Sequence, residues 1–356
     1  MTKPTRIRTG APDVALARDE FRARFRARFV DPAFDAVAVE LDAIEAVAWD
    51  AYSNHRKSPR TRKAGREFAD PDYDLSLDWI AARDAITAAH ARHAAEGPRR
   101  VLVIAGGARN EHTCPGELAK TQRLAGLAVA RAQLRGAIVE LLDLSRLTAE
   151  YGRTIYPCKG CVSTAMPLCH WPCSCYPNHG LNQTGDWMAE IYPRWVEAHG
   201  IAIVTPVYWH QAPSALKLMI DRLVCADGGN PDPTTTHGKT VAEAKAIELA
   251  GWSYPRHLAG RAFSIVVHGD AEGADGLRRM LTDWLTEMGL EPSGSHGLLD
   301  RYIGYLEPYA TSHDALDADR DIAGEVDNAI DTLIERADQL RSSPVAGAEL
   351  HEPRAK

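Results

Sequence analysis

The sequence predicts an α/β protein whose core is a five-stranded parallel sheet in the order 2-1-3-4-5, with helices on both faces. Short apolar runs alternate with helix-length segments over residues 98–342, which is typical of a parallel sheet covered on both sides. Five such runs occur without a sixth, which favours this order over a six-stranded dinucleotide-binding sheet. The composition, 45% hydrophobic and 25% charged, provides ample apolar material for a buried core.

The predicted strands are apolar runs that end in polar or glycine-rich loops. They cover residues 101–107, 137–144, 201–207, 261–270 and about 290–299. Helices are predicted between and after them, among others over 117–134, 213–225 and 322–341. Because ligands of such sheets bind beyond the carboxyl ends of the strands, we expect the loops after strands one, three and four to form a site.

Outside this alternation the sequence predicts an extension, two insertions and a tail. Residues 1–97 are interpreted as a helical extension. A Cys-rich insertion covers 145–180, a second irregular insertion covers 226–260, and 343–356 form a loose tail. The basic stretch 55–66 is either a solvated loop or a contact for an anionic ligand or partner.

Charge and hydropathy exclude several classes of partner. A net charge of −7 and a pI of about 6.1 give no support for nucleic-acid binding. No segment approaches the roughly 18 uninterrupted apolar residues of a membrane helix, and the N-terminal stretch lacks the apolar centre of a signal peptide. We therefore expect a cytoplasmic protein with no membrane or nucleic-acid partner.

The loop after the first strand, GGARNEHTCPGELAKT at 106–121, has the composition of an anion-binding site. Its glycines permit a tight turn, and the N–H groups that begin the next helix attract an anion with help from the helix dipole. Arg109 and Thr113 add a cation and a hydroxyl suited to a phosphate. The loop matches neither Walker A nor G-x-G-x-x-G. The alternative is a common glycine turn with Arg109 in solvent.

The loops after the third and fourth strands contain groups suited to a flat ring. Tyr208 and Trp209 follow a buried strand, where aromatic side chains can pack on a ring or simply cover the end of the sheet. The glycines of 268–276 permit close backbone approach. His210 and His268 flank this place, and either could bond a cofactor oxygen or protonate a substrate, because histidine titrates near neutral pH.

On these residues the chain resembles the NADPH-dependent FMN reductases and iron–sulfur flavoproteins of the flavodoxin-like superfamily, over about 98–290. The most specific part is TPVYW…PSALKLMIDRL at 205–223, whereas GGAR places Gly107 where the family's phosphate loop has a serine. The resemblance implies bound FMN, NAD(P)H as electron donor, and a homodimer or homotetramer. It also implies phosphate contacts from 106–116.

By the same resemblance, 206–211 would line the isoalloxazine ring and 268–273 would close its other side. The implied cofactor-binding residues are Gly107, Ala108, Arg109, Thr113, Cys114, Pro206, Val207, Tyr208, Trp209, His210, Gln211, His268, Gly269, Asp270 and Gly273.

Five of the seven cysteines fall within residues 158–175, which we call the cysteine segment. Four thiolates can hold an iron–sulfur cluster or a tetrahedral zinc, and free thiols buried without metal are the third possibility. The iron–sulfur flavoproteins carry a compact cysteine motif after their second strand, with tighter spacing than here. The candidate metal ligands are Cys158, Cys161, Cys169 and Cys173, with Cys175 as the alternate. Outside the segment, Cys114 and Cys225 are interpreted as structural thiols.

The leading functional hypothesis is a flavin enzyme. NAD(P)H would reduce FMN, and the electrons would pass to a quinone, a nitro or azo compound, or a protein, with His210 and His268 as the catalytic candidates. One alternative is an iron–sulfur flavoprotein that acts as an electron carrier or as a redox sensor through its cysteines. The other is a scaffold that binds no flavin.

Overall fold

The computed structural model describes residues 16–110, 112–113 and 117–343. They divide into two compact units: residues up to Pro59 together with Pro177–Thr184, and Arg60–Tyr176 together with the chain from Gly185 onward. The division at Pro59 lies inside the predicted extension, and the predicted domain boundary at residue 97 stays a prediction.

The first unit contains the N-terminal part of the predicted helical extension. Its helices are α1 (Arg18–Arg26) and α2 (Ala38–Ser53), with a 3-10 turn at Pro32–Val37 before α2. The ring of Phe21 packs on Trp49 and Tyr52, with centroids 5.3 and 5.1 Å away. Glu45 on α2 is buried, and the guanidinium groups of α1 compensate its charge.

The second unit holds a parallel sheet, preceded by a small antiparallel hairpin. The hairpin is β1 (Thr61–Lys63) and β2 (Asp74–Ser76), and the sheet strands are β3 (Arg100–Ala105), β4 (Ile138–Asp143), β5 (Gly200–Pro206), β6 (Ala262–Gly269), β7 (Glu291–Pro292) and β8 (Leu298–Tyr302). The order is β4-β3-β5-β6, with β7 and β8 both beside β6. The predicted flavodoxin-like order 2-1-3-4-5 is therefore confirmed, with a fifth position divided into two short strands.

Helices connect these strands. They are α3 (Leu77–Ala94), α4 (Lys120–Leu134), α5 (Arg146–Ala149), α6 (Met188–Glu197), α7 (Ser214–Leu223), α8 (Val241–Leu249), α9 (Ala274–Glu287), α10 (Ser312–Ala318) and α11 (Ile322–Ser342). The insertion at 226–260 was predicted to be irregular, and α8 within it shows that this was wrong in part. None of the helices in the described ranges is both long and apolar enough to cross a membrane.

The core lies on both faces of the sheet, as the buried strands require. Leu102 and Ile104 of β3 pack with α3, α6, α7 and α9, whereas Val101 and Val103 pack with α4 and α11. Successive side chains of a strand point to opposite faces, so a strand buried on both sides is apolar at every position. This packing fixes the carboxyl ends of β3, β5 and β6 side by side.

Candidate functional site

A cleft of about 750 Å³ opens at the carboxyl ends of β3, β5 and β6. This is the edge at which parallel α/β sheets bind ligands, because neighbouring loops there diverge around a crevice. The lining residues are Gly107, Arg109, Glu117, Ala119, Lys120, Thr121, Pro206, Val207, Tyr208, Trp209, His210, His268, Gly269, Asp270, Ala271, Glu272, Tyr309, Ala310, Ser312 and His313.

Two glycines make room at the end of β3. A Cβ atom on Gly106 would lie 2.7 Å from Thr205 Oγ1, and one on Gly107 would lie 3.0 Å from Thr121 Oγ1. Any larger residue at Gly106 would collide with the neighbouring strand. At Gly107 a side chain would project toward the start of α4, so its absence leaves a backbone-lined cradle there.

Arg109 and Lys120 place two cations at this cradle. Among the residues that the structure describes, Arg109 Nε is buried and has no hydrogen-bond partner, an arrangement that is costly unless a ligand accepts the bond. The Lys120 side chain is only 10% exposed, and its Nζ lies 3.8 Å from Asp270 Oδ2. Burial lowers the pKa of Lys120, while Asp270 acts against that effect.

The helices α4 and α9 both begin beside the cleft, and they differ in how their first N–H groups are satisfied. The hydroxyl of Tyr302 accepts hydrogen bonds at 3.2 Å from Gly273 N and from Ala274 N, which caps α9. Helix α4 follows Ala119, whose methyl side chain cannot cap its first N–H groups. The start of α4 is therefore the better place for an anion.

Tyr208–Gln211 form a tight two-residue turn at the mouth of the cleft. Tyr208 and Gln211 exchange two backbone hydrogen bonds of 2.9 Å, and Trp209 and His210 between them have positive φ angles of 50° and 63°. Bulky side chains rarely adopt this backbone conformation, and such strained residues cluster at functional sites. The turn leaves Trp209 95% exposed, so Trp209 is not part of the core.

His268, near the end of β6, lies beneath the cleft and is buried. Its Nε2 atom and Thr121 Oγ1 are 2.8 Å apart, which joins the end of β6 to the start of α4. Burial, and secondarily the charge of Lys120, lowers the pKa of His268 to about 3. The ring is therefore uncharged at neutral pH, a state suited to holding Thr121 in place.

A further part of the rim comes from the segment after β8. His313 Nδ1 lies 3.4 Å from Glu117 Oε2, and its Nε2 lies 3.1 Å from Leu118 O. Tyr309 also lines the cleft and is 77% exposed. Residues on either side of the start of α10 thus contribute to the cleft.

Most of the predicted cofactor residues line this cleft. They are Gly107, Arg109, Pro206, Val207, Tyr208, Trp209, His210, His268, Gly269 and Asp270. Ala108, Thr113, Gln211 and Gly273 are not among the lining residues, and the Thr113 hydroxyl instead donates to Asn110 Oδ1 at 3.2 Å. Cys114 lies outside the described residues. The roles of all these residues in binding stay predictions.

Several cleft residues were not among the predicted site residues. Lys120 and Thr121 lie in the first expected loop, at 106–121, but were not chosen, because a helix was predicted from residue 117 whereas α4 begins at Lys120. None of the three residues from Glu117 to Ala119 has the short polar side chain that commonly caps a helix, and this could have indicated that the start of α4 is uncapped. Tyr309 and His313 follow the divided fifth strand, and nothing in their local sequence indicates that they return to the cleft.

The cysteine segment lies in the second unit, as the cleft does, but it consists of short 3-10 helices and irregular chain rather than loops at strand ends. Its short 3-10 helices are Cys161–Ser163 and Met166–Leu168. The Sγ atoms of Cys161 and Cys175 are 3.5 Å apart, Cys173 also contacts Cys175, and Cys169 contacts Cys225. Within the described residues, no group of three or more His, Cys, Asp or Glu side chains could hold a metal ion.

The thiols of the segment have unlike electrostatic surroundings. A hydrogen bond from Cys175, together with the charge of Lys239, lowers the pKa of Cys161 to about 6 against the opposing effect of burial. Burial raises the pKa of Cys158, and the neighbouring thiol of Cys175 raises that of Cys173. The thiols of the segment are therefore electrostatically inequivalent.

The comparison with protein families gives one match. The model of the family described as NADPH-dependent FMN reductase matches residues 99–298, a range that contains all the predicted cofactor residues. Among curated proteins no match to the chain is found.

Several solved structures are similar to parts of the chain. RosB with its bound intermediate 8-demethyl-8-formylriboflavin-5'-phosphate is 14% identical, with a TM-score of 0.49 over 69% of this chain and 81% of that chain. The apo form of the NADH:FMN oxidoreductase EMOB is 16% identical, with a TM-score of 0.39 over 72% and 97%. The NAD(P)H:quinone oxidoreductase from Methanothermobacter marburgensis is 14% identical, with a TM-score of 0.38 over 68% and 96%.

Proposed function

Because the matched range covers more than half of its length, the chain belongs to the NADPH-dependent FMN reductase family, and on that premise we propose how it uses its cleft. The protein is an NAD(P)H-dependent flavin oxidoreductase. We propose that its electrons pass to a small planar acceptor, a quinone or a nitro or azo compound, in preference to a protein.

The residues of the cleft fit FMN at its phosphate end. The orphaned Nε of Arg109, the cradle at Gly107 and the uncapped start of α4 together offer a cation and several N–H donors to a dianion. We assign the phosphate to this end, with Lys120 as the second cation. We assign to Lys120 the phosphate contact predicted for Thr113, since the Thr113 hydroxyl donates a hydrogen bond to Asn110 Oδ1.

The other end of the cleft fits the flavin ring. Pro206–Gln211 and His268–Gly273 leave β5 and β6 side by side, and Gly269 and Gly273 keep the second loop thin. A Cβ atom on Gly273 would lie 2.8 Å from the His210 backbone, so this glycine permits the two loops to touch. Their backbone groups would bond the polar edge of the ring while apolar surface covers its faces.

Bound FMN supplies the hydride-accepting and electron-donating chemistry that amino-acid side chains lack. The chain's own residues bind and orient. Thr121 and His268 fix the start of α4 against β6 through their 2.8 Å contact. His210, exposed at the mouth, is the candidate to deliver a proton to the reduced acceptor, while the buried, uncharged His268 is better suited to positioning.

The aromatic mouth of the cleft favours a planar acceptor. Trp209 and Tyr309 are 95% and 77% exposed there, so neither residue is packed in the core. Aromatic faces of this kind stack on flat rings and contribute about 0.5–1.5 kcal/mol per pair. A quinone or a nitroaromatic or azo compound offers such a ring.

The observation that carries the proposal is the convergence of Arg109, Lys120 and the Tyr208–Gln211 turn on one cleft. The test is NAD(P)H oxidation by purified protein reconstituted with FMN, with and without a soluble benzoquinone. We expect steady oxidation that requires both FMN and quinone. A protein that binds FMN but oxidises NAD(P)H no faster with quinone would contradict the acceptor class, and failure to bind FMN would contradict the site.

Electron carriage through an iron–sulfur cluster is the alternative that the cysteine segment raised. The described thiols do not fit such a cluster or a zinc site, since no group of three or more of the described His, Cys, Asp or Glu side chains could hold a metal ion. Iron, acid-labile sulfide and zinc analysis of protein purified without oxygen tests this, and a stoichiometric metal lost in a Cys158→Ser, Cys161→Ser double variant would restore the alternative.

We further propose a cytoplasmic homodimer or homotetramer. The proposal rests on the family resemblance, in which flavin pockets are commonly completed across an interface. Size-exclusion chromatography with light scattering measures the mass directly, and a mass near 39.0 kDa would mean that a single chain forms the whole site.

A further inference from the structure

Cys161 and Cys175 are a pair of thiols in contact within the cysteine segment. Cys161 begins a single-turn 3-10 helix, and Cys175 lies 14 positions later in an irregular stretch. Their Sγ atoms are 3.5 Å apart, which is van der Waals contact, whereas a disulfide bond measures about 2.05 Å. Closing the pair requires a movement of about 1.5 Å, which side-chain rotation and a small loop shift can provide.

The two thiols differ in access. Cys161 is half-buried and packs against the small apolar cluster of Ala165, Leu168 and Ala244. Cys175 is only 7% exposed. A reagent from solvent therefore reaches Cys161 first, and Cys175 is placed to attack the product from inside.

Lys239 gives this pair a positive neighbour. Its ammonium group donates a hydrogen bond to Leu168 O and lies near enough to Cys161 and Cys175 to act on both electrostatically. A cation beside a sulfur pair favours the negative charge that passes between sulfurs during thiol–disulfide exchange.

The remaining cysteines do not complete a metal site around the pair. Cys169 is engaged with Cys225, and Cys173 contacts the pair only through Cys175. No third ligand within the described ranges joins Cys161 and Cys175 at one point. The arrangement suits bond formation between two sulfurs better than coordination by four.

We propose that Cys161 and Cys175 are a redox-active dithiol that closes to a disulfide by exchange with a small-molecule disulfide such as oxidised glutathione. The Cys161 thiolate attacks one sulfur of the reagent, which breaks its S–S bond and releases one thiolate. The Cys175 thiolate then attacks Cys161 Sγ, which forms the protein disulfide and releases the second thiolate. Two electrons pass from the protein dithiol to the reagent disulfide, and the two protons of the protein thiols go to the released thiolates.

The test is thiol mapping of the full-length protein after equilibration with mixtures of reduced and oxidised glutathione. Free thiols are trapped by alkylation, and the digested protein is analysed by mass spectrometry. We expect a peptide that links Cys161 to Cys175, in a fraction that rises with oxidised glutathione and returns to zero on reduction. Cys161→Ser and Cys175→Ser variants should lose the link, and the former should also lose the mixed disulfide.

Cys158→Ser is the matched control because Cys158 lies in the same segment and was a first candidate for metal binding. A dithiol of Cys161 and Cys175 leaves the link intact in this variant, whereas a metal site would lose its metal. The proposal is overturned by a different predominant link in the wild-type protein, or by no link at any glutathione ratio. Stoichiometric iron or zinc that protects both thiols from alkylation would also overturn it. The wild-type map is decisive even where a variant fails to fold.

Discussion

The cleft and the cysteine segment are both formed by loops, but the cleft loops are anchored on the parallel sheet and the cysteine segment is not. The cleft loops leave buried parallel strands whose register is fixed, with Thr205 beside Val267 and Pro206 beside His268. The cysteine segment leaves β4 and passes through single-turn 3-10 helices before it reaches α6. The cleft side chains are therefore positioned by the sheet. The cysteine side chains are positioned by local turns and by the residues that each thiol contacts.

This difference determines which groups meet. Residues that follow β3, β5 and β6 were far apart in sequence, yet all three loops reach one cleft, because adjacent strands end at the same edge. The cysteines are close in sequence, yet Cys161 and Cys173 each contact Cys175 while Cys169 contacts Cys225, and no group of three or more in the described residues could hold a metal ion. Proximity along the chain is thus weaker evidence for a shared site than anchorage on neighbouring strands.

Gly107→Val should have the largest effect on FMN binding, because the new side chain would fill the proposed phosphate cradle. The Cβ would approach Thr121 Oγ1 at 3.0 Å, and its methyl groups would fill the proposed phosphate cradle. Loss of charge-assisted contacts, about 1.5–3 kcal/mol, together with crowding predicts at least about 100-fold weaker FMN binding. Flavin fluorescence titration measures this.

Gly126→Ala is the control for that change. Gly126 lies in the middle of α4, and a Cβ there meets no atom within 4 Å. The variant should bind FMN as the wild type does. Equal loss of affinity in both variants would indicate damage to α4 rather than a filled cradle.

Acid unfolding should report whether His268 is held uncharged beneath the cleft. The folded-state pKa of His268 is lowered from 6.5 to about 3, so below about pH 6.5 the unfolded chain binds a proton that the folded chain does not. The free energy of unfolding should fall as pH decreases from 6.5 to 3, by up to about 1.4 kcal/mol per pH unit from this group. Urea unfolding of wild type and His268→Gln across this range measures the difference. Identical pH slopes would mean that His268 is not held uncharged.

Trp209→Ala should have the smallest effect on stability, and it should selectively weaken binding of the electron acceptor. Because the side chain is 95% exposed, stability should change by less than about 0.5 kcal/mol. Loss of one stacking contact, about 0.5–1.5 kcal/mol, predicts a KM for an aromatic quinone that rises about 2- to 12-fold. Steady-state kinetics beside a thermal melt measures both quantities.

Tyr151→Ala provides an aromatic control outside the cleft. Tyr151 is fully exposed and is not among the cleft residues, so its removal should leave the KM for quinone unchanged. A drop in Trp209→Ala stability of several kcal/mol would show instead that the turn supports the fold.

The parts of the fold that depend on regular burial could be predicted from the sequence. The runs that became β3, β5 and β6 are apolar at nearly every position, because both faces of each strand are buried. The fifth position was predicted as one strand near 290–299, but Ser293–Gly297 leaves the sheet and divides it into β7 and β8. A two-residue strand has too few positions to give a periodic signal.

The cleft could be predicted where its residues lie within a few positions of a strand end. Gly107 and Arg109 follow β3, Trp209 follows β5, and each lines the cleft. Lys120 could not be distinguished from an ordinary surface lysine, because its burial depends on where α4 begins and on Asp270 in another loop. Tyr309 and His313 approach the cleft through tertiary packing, which local sequence does not encode.

The most direct test of the proposed site compares FMN with riboflavin, which lacks the phosphate, in wild type and in Arg109→Ala. If Arg109 and the start of α4 bind the phosphate, the wild type should prefer FMN, and Arg109→Ala should weaken FMN by about 10- to 150-fold, the equivalent of 1.5–3 kcal/mol. Riboflavin affinity should be the same in both proteins. An Arg109→Ala variant that keeps the wild-type affinity for FMN, or loses affinity for both ligands equally, would contradict the placement of the flavin phosphate at this end of the cleft.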